Sequence, residues 1–436
     1  MTAREKRSVV LPSLPPELWD CIFDFATSVP GTLIPDIYEH SNLIGPPYNR
    51  KYYPALRTAL ITKRYLVRVC KQWWHLARRY LYQAIYVGRA RCLLSLCNTL
   101  KKYAAGNGTV EGVHFLGSWT RRLDIVIRDR CIDINAESEC LAEIIRSVSG
   151  LEIMSFAITS DDYIDFLMPP SILDALQCHA SSLRVLDWST NRLHPDLYQL
   201  ERRLLKNLPR LRILSCFALF WENGFMPSRA LSSVHTLILY MLFSTLELSI
   251  PGHPGPPDTG ETPPTLQELI LNTEMWKYDL WKQFMRRYGV YLTSVQLRGH
   301  YSGLEIGLNT YLELINGSCP NIRRITISIS KFSKVSMDRF SLPPVEYLGL
   351  RAEAHQEPRS AYVNLFLIFA FVKETVPTLR VVQFIDHHNV DALLTRHWKV
   401  AVRALDQQLA GSAFRIECHD GTLLSDSKPW GKCKDS

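Results

Sequence analysis

The side chains best able to do chemistry gather at Asp386-His387-His388, with His397 a little further on. Imidazole and carboxylate are the usual pair for a divalent metal or for proton transfer. The spacing is not H-E-x-x-H, and no thiolate lies nearby, so no metal centre is expected from it. The chain also lacks a P-loop, a G-x-S-x-G turn and a dinucleotide fingerprint. Asp161-Asp162 reads as a helix start or loop pair rather than an acid/base dyad. Eleven cysteines are scattered without a C-x-x-C pair, which implies free thiols in a reducing compartment. The expectation is a non-catalytic chain without cofactor that works by binding.

Composition agrees with a folded binding protein. An apolar share of 47% with 21% charged residues is ordinary for a globular chain. Met1–Val10 is basic and has no apolar core, so no secretory signal is expected. The longest apolar run, Ala361–Val372, contains Asn364 and falls short of the roughly twenty residues that cross a bilayer. The expected location is cytoplasmic or nuclear, with no membrane partner. The formal charge of +8 is unevenly placed: between Glu39 and Glu111 there are thirteen Lys and Arg and no acid. Removing that +13 leaves the remainder at −5. Such a block reads first as a solvated basic face and next as a docking surface for an acidic protein partner. Nucleic acid ranks behind it, because Trp73, Trp74, Tyr80 and Tyr82 recur at helical spacing and are better used in packing.

Two segments must position the basic block. In Leu14-Pro15-Pro16-Glu17-Leu18-Trp19 the prolines suit a first helical turn and Glu17 suits its positive end. Leu18, Ile22 and Phe25 then recur on one face, with Trp19 and Phe23 beside them. A helix this short and this apolar needs a partner. From Leu60 to Tyr86 there is neither Gly nor Pro, and Leu66, Val69, Cys70, Trp73, Leu76, Ala77, Tyr80 and Leu81 predict one long helix. Pro30, Gly31, Pro35, Gly45, Pro46, Pro47 and Pro54 mark a loop between the two.

The pair resembles an F-box. In particular it is similar to a large fungal group reading LPPELW…IF…AT and then VCKxWxxLAxxLY, matched here by Leu14–Thr27 and Val69–Tyr82. The departure is the proline-rich insert over 28–56, which leaves the middle helix unplaced. The resemblance implies that Leu14, Pro15, Leu18, Ile22, Val69, Cys70 and Trp73 dock a Skp-type adaptor.

Beyond residue 150 the pattern apolar-x-x-apolar-x-apolar returns nine times, from Leu151/Met154/Phe156 to Leu379/Val382/Phe384, with starts 23 to 34 residues apart. Alone the pattern is common by chance. Five copies, however, carry proline two residues ahead (Pro209, Pro264, Pro320, Pro343, Pro377), which stops a helix and launches a strand. Helical patterns fill several intervals: Asp196–Leu208, Asp279–Tyr288, Glu305–Gly317 and Ala361–Val376. The unit of strand, loop, helix and proline resembles an irregular leucine-rich repeat, with Leu183–Leu193 filling the whole L-x-x-L-x-L-x-x-N-x-L template.

The expected fold class is α/β: a small all-α F-box over 12–100, after a flexible 1–11, then a leucine-rich-repeat horseshoe over 112–420 and a flexible tail over 421–436. The Pro251–Pro264 segment reads as a protruding loop. Alternation along each strand turns the third, fifth and seventh positions outward, among them Tyr240, Asn272, Arg298, Arg324, Tyr347 and Arg351. Arginines on a solvated sheet face are common, and three guanidinium groups with a tyrosine nearby could also hold a carboxylate or phosphate of a substrate. Together the resemblances imply the substrate receptor of an SCF-type ubiquitin ligase, joined through its adaptor to a cullin–RING ligase. The alternative is a repeat-containing binding protein without a ligase.

Overall fold

In a computed structural model of the chain, the structure describes residues 14–35, 53–104, 115–127, 129, 133–156, 166–188, 193–194, 204–216, 220–221, 224–225, 231–240, 264–272, 278–299, 303–335, 340–352 and 357–426. The fold is mixed α/β. Among the described residues eleven α-helices accompany a sheet of twelve strands that run parallel and follow one another in chain order. No described helix is long and apolar enough to cross a membrane.

Contacts divide the chain into two compact units, Met1–Val185 with Arg192–His194, and Leu186–Asn191 with Pro195–Ser436. The boundary expected between 100 and 112 falls mostly outside the described residues. The first unit opens with three helices, α1 (Pro16–Thr27), α2 (Tyr53–Val69) and α3 (Lys71–Gln83). The single helix predicted from Leu60 to Tyr86 is therefore corrected to two helices and a strand. Cys70 leaves the helical region at φ −160° and caps α3, its Sγ accepting the Trp73 N–H at 3.5 Å. At the other end Ala84–Val87 form strand β1, where Ile85, Tyr86 and Val87 favour extended backbone.

The sheet continues in this unit with β2 (Arg122–Ile125) and β3 (Ile153–Phe156), and the division between the units falls within β4 (Val185–Trp188). Helices α4 (Arg91–Ala104), α5 (Ile134–Arg146) and α6 (Pro170–Gln177) fall between them in the chain. In this unit the inward columns are in register: Ile85 lies opposite Leu123 and Leu123 opposite Met154.

The second unit carries β5 (Ile213–Cys216), β6 (Thr236–Tyr240), β7 (Glu268–Asn272), β8 (Ser294–Arg298), β9 (Arg324–Ile329), β10 (Tyr347–Ala352), β11 (Val381–Phe384) and β12 (Arg415–Glu417). Its helices are α7 (Tyr278–Tyr288), α8 (Gly303–Ser318), α9 (Arg359–Thr375), α10 (His387–Arg396) and α11 (Trp398–Gln407). One continuous column runs Leu214, Leu237, Leu269, Val295, Ile325, Leu348, Val382, Ile416 in paired register. All of these side chains are buried. Stacking like with like across strands removes a whole face of each from water, at about 25 cal/mol per Å² of apolar surface.

At the end of β10 a buried amide satisfies the backbone, as the low dielectric favours. The fully buried Asn389 of α10 accepts the Ala352 N–H at 2.8 Å and donates to the Ala352 carbonyl at 3.1 Å. The fold also runs past residue 421, where a flexible tail was expected. Leu424 is fully buried and its N–H reaches the Ile416 carbonyl at 2.9 Å, and Glu417 bridges Leu423. Most of the helix read over Asp196–Leu208, and the loop read over Pro251–Pro264 up to residue 263, lie outside the described residues.

Candidate functional site

The first candidate is the outer surface of the helical bundle. Helix α1 enters through Pro15 and Pro16, with Glu17 in its first turn. Its inner face carries Trp19, Phe23 and Thr27. Phe23 is fully buried against Ala77 and Tyr80, and its ring centroid lies 5.0 Å from Trp73 and 6.4 Å from Tyr80. Trp19 packs at 4.9 Å from Trp73. Polar bonds fix the same pairing: Arg79 meets Asp20 at 2.7 Å, and the Tyr80 hydroxyl donates to the Asp20 carbonyl at 2.9 Å.

With those residues facing inward, the other apolar face of α1 points to solvent. Leu18 is 49% exposed, Ile22 44% and Phe25 92%. Pro15 and Cys70 are exposed, as is Val69, and Leu14 is half-buried. Trp73 differs from the other six docking residues named from the sequence, because it packs against the bundle core. Helix α2 adds two apolar residues that the sequence reading did not name, Ile61 and Tyr65, both exposed. Their signal was present, since Ile61, Tyr65 and Val69 recur every fourth residue. Arg57, Arg64 and Arg68 are exposed on the same helix.

Lys63 has the opposite fate. It is buried in the bundle, which lowers its pKa from the ordinary lysine value to about 8, with Asp24 pulling the other way. The unfolded chain titrates near 10.4. A folded value below the unfolded one means the amine's contribution is fully present above the unfolded pKa and lost as pH falls through about 8. The unfolding midpoint should therefore rise between pH 8 and pH 10 relative to Lys63→Met, which should be a few degrees more stable at pH 7. Parallel thermal melts of the two proteins across that range check it; identical pH profiles would refute the buried charge.

The second candidate is the outward face of the strands in the second unit. The register places Tyr240 opposite Asn272 and Asn272 opposite Arg298, then Arg298 opposite Ser328 and Ser328 opposite Arg351. Arg298 and Arg351 thus stand two strands apart, on the order of 10 Å. Arg324 lies opposite Tyr347, its guanidinium 4.0 Å above the ring. Burial raises the Tyr347 pKa and Arg324 works against that rise; its hydroxyl bonds to Gln383. Arg298 is buried and donates to Gln296 at 3.2 Å. Arg351 is met by Asp386 at 3.3 Å. Arg324 is the exposed member of the three. The side chains of Tyr240 and Asn272 lie outside the described residues.

The histidine group named from the sequence separates. His397 sits beside the Tyr362 ring at 5.2 Å and its Nε2 lies 3.2 Å from the Glu357 carbonyl. Asp386, His387 and His388 stay together at the start of α10. Comparison with known proteins finds no family model that matches the chain and no curated relative.

Proposed function

We propose that the chain is the substrate-receptor subunit of an SCF-type ubiquitin ligase, non-catalytic itself. The carrying observation is the doubly apolar α1: one face is filled by Trp73, Ala77 and Tyr80, while Leu18, Ile22 and Phe25 remain exposed within a segment that resembles an F-box. Monomeric surfaces seldom leave such a ridge uncovered unless a partner takes it. A Skp-type adaptor would cover it, with Leu14, Pro15, Val69 and Cys70 at its margin. The strands, read as irregular leucine-rich repeats, would hold a protein substrate on their outward face, where the exposed Arg324 on Tyr347 is the strongest anchor. The chain would then act by raising the local concentration of substrate lysines near the ubiquitin-charged enzyme.

The competing reading is a basic binding protein without a ligase, favoured by the exposed Arg57, Arg64 and Arg68 around Tyr65. Co-purification with a Skp-type adaptor separates the two. Leu14→Ala with Pro15→Ala should reduce adaptor capture about tenfold or more, since apolar anchors at such ridges carry most of the affinity, with the circular dichroism unchanged. Capture that is absent from the wild type, or unaffected by the double change, would reject the ligase reading.

A further inference from the structure

Sequence proximity groups His387 and His388 with His397, but the fold replaces His397 with a histidine from the next strand exit. His419 follows β12, and its ring centroid lies 5.8 Å from that of His387. The His387 and His388 rings lie 3.8 Å apart. One possible ligand atom from each of Asp386, His387 and His388 falls within 4.8 Å of the others. We propose that Asp386, His387, His388 and His419 bind one borderline transition-metal dication of the zinc class.

Asp386 and the turn that carries His419 are held by the fold. Asp386 caps α10, its Oδ1 accepting the His388 N–H at 2.8 Å, while the Arg351 guanidinium lies 3.3 Å from Oδ2 as an ion pair. The cap bond keeps Oδ1 on the side of the imidazoles. His387 Nδ1 stands 3.8 Å from Oδ1. The separation exceeds a hydrogen bond. It is close to what two donors adopt around one ion at about 2.0–2.2 Å from each. His419 sits in a tight return. Cys418 N–H donates to the Thr422 carbonyl at 2.8 Å, Gly421 takes a left-handed φ of 83°, and Gln383 of β11 donates to the Cys418 carbonyl at 3.1 Å. Two consecutive strand exits are therefore tied together at the point where the rings meet. Three imidazoles and one carboxylate oxygen are a donor set for tetrahedral Zn²⁺ and for Ni²⁺ or Cu²⁺, and a poor one for Mg²⁺ or Ca²⁺.

The test is calorimetric titration of the tag-free full chain with Zn²⁺, with Mg²⁺ run in parallel, and Co²⁺ absorption as a geometry readout. One equivalent of Zn²⁺ should bind, and Co²⁺ should give the intense visible bands of a four-coordinate site. His387→Ala and His419→Ala should each weaken binding about tenfold or more, while His75→Ala, an exposed histidine on α3, should not. Unfolding midpoints of the zinc-free variants control for misfolding. Absence of Zn²⁺ binding, or affinity that survives the double change of His387 and His419, would overturn the site.

Discussion

Phe23→Ala should cost about 3–5 kcal/mol of stability, the range for removing a fully buried aromatic ring. The ring is the hub of the bundle: it touches Trp19, Trp73 and Tyr80 and leaves no surface in water. Its loss opens a void that two tryptophans and a tyrosine cannot close without leaving their rotamers. One position earlier, Ile22 lies on the outer face, and Ile22→Glu should stay within about 0.5 kcal/mol of wild type. Urea unfolding, with hydrogen exchange of the α1 amides, measures both. The pairing is what makes the test sharp, since adaptor capture should fail in both proteins but for different reasons. Phe23→Ala loses the helix, whereas Ile22→Glu keeps it and places a charge in an apolar contact. Equal destabilisation by the two would mean that the inner and outer faces of α1 are wrongly assigned.

A comparable loss is expected from one methyl group at Gly289. A Cβ built there would lie 2.4 Å from the Ser318 carbonyl oxygen, and the obstacle is backbone at the end of α8, which cannot rotate away. Gly117 repeats the arrangement in the first unit, with a Cβ 1.9 Å from the Ser147 carbonyl oxygen. Both glycines precede their strand by the same interval, and both carbonyls precede the next strand by the same interval. Close approach of one connection to the next is thus a recurring feature of the repeat. Gly289→Ala should cost about 3 kcal/mol, at the upper end for overpacking, because the backbone itself must shift. Gly317→Ala, in α8 with nothing within 4 Å of the new Cβ, should instead stabilise by about 0.5–1 kcal/mol. Opposite shifts of the urea midpoint are expected; a tolerated Gly289→Ala would contradict the close packing.

The strands were legible because burial on one side writes itself as period-two apolar pairs. All nine apolar triplets coincide with strands, from β3 at Ile153–Phe156 to β11 at Val381–Phe384. Proline marked where the preceding helix had to stop. Three strands lie outside these triplets: β2, where only Leu123 and Ile125 alternate, and the two outermost. In β1 the apolar residues continued a helical pattern through Tyr86, and β12 is only three residues long. The break at Cys70 escaped notice, since a thiol acting as a cap carries no Gly or Pro signature. The binding surfaces were half legible. Periodicity shows that α1 is apolar on two sides, but not which side the neighbouring helices take. Likewise, alternation placed Arg298, Arg324 and Arg351 on outward columns. It could not show that Asp386, thirty-five residues on, meets Arg351, or that His419 rather than His397 approaches His387.

The chain-order sheet of the second unit also bears on how the polypeptide acquires its structure. From β5 to β12 each strand of this sheet pairs with its neighbours in the sheet's chain order, and β12 ends the series. Every loop that must close is therefore 23 to 34 residues between strand starts, and closure entropy varies only slightly over that span. No pairing has to wait for a distant part of the sequence, so docking can pass from strand to strand as the chain lengthens. During synthesis, the surface a new strand needs is already formed.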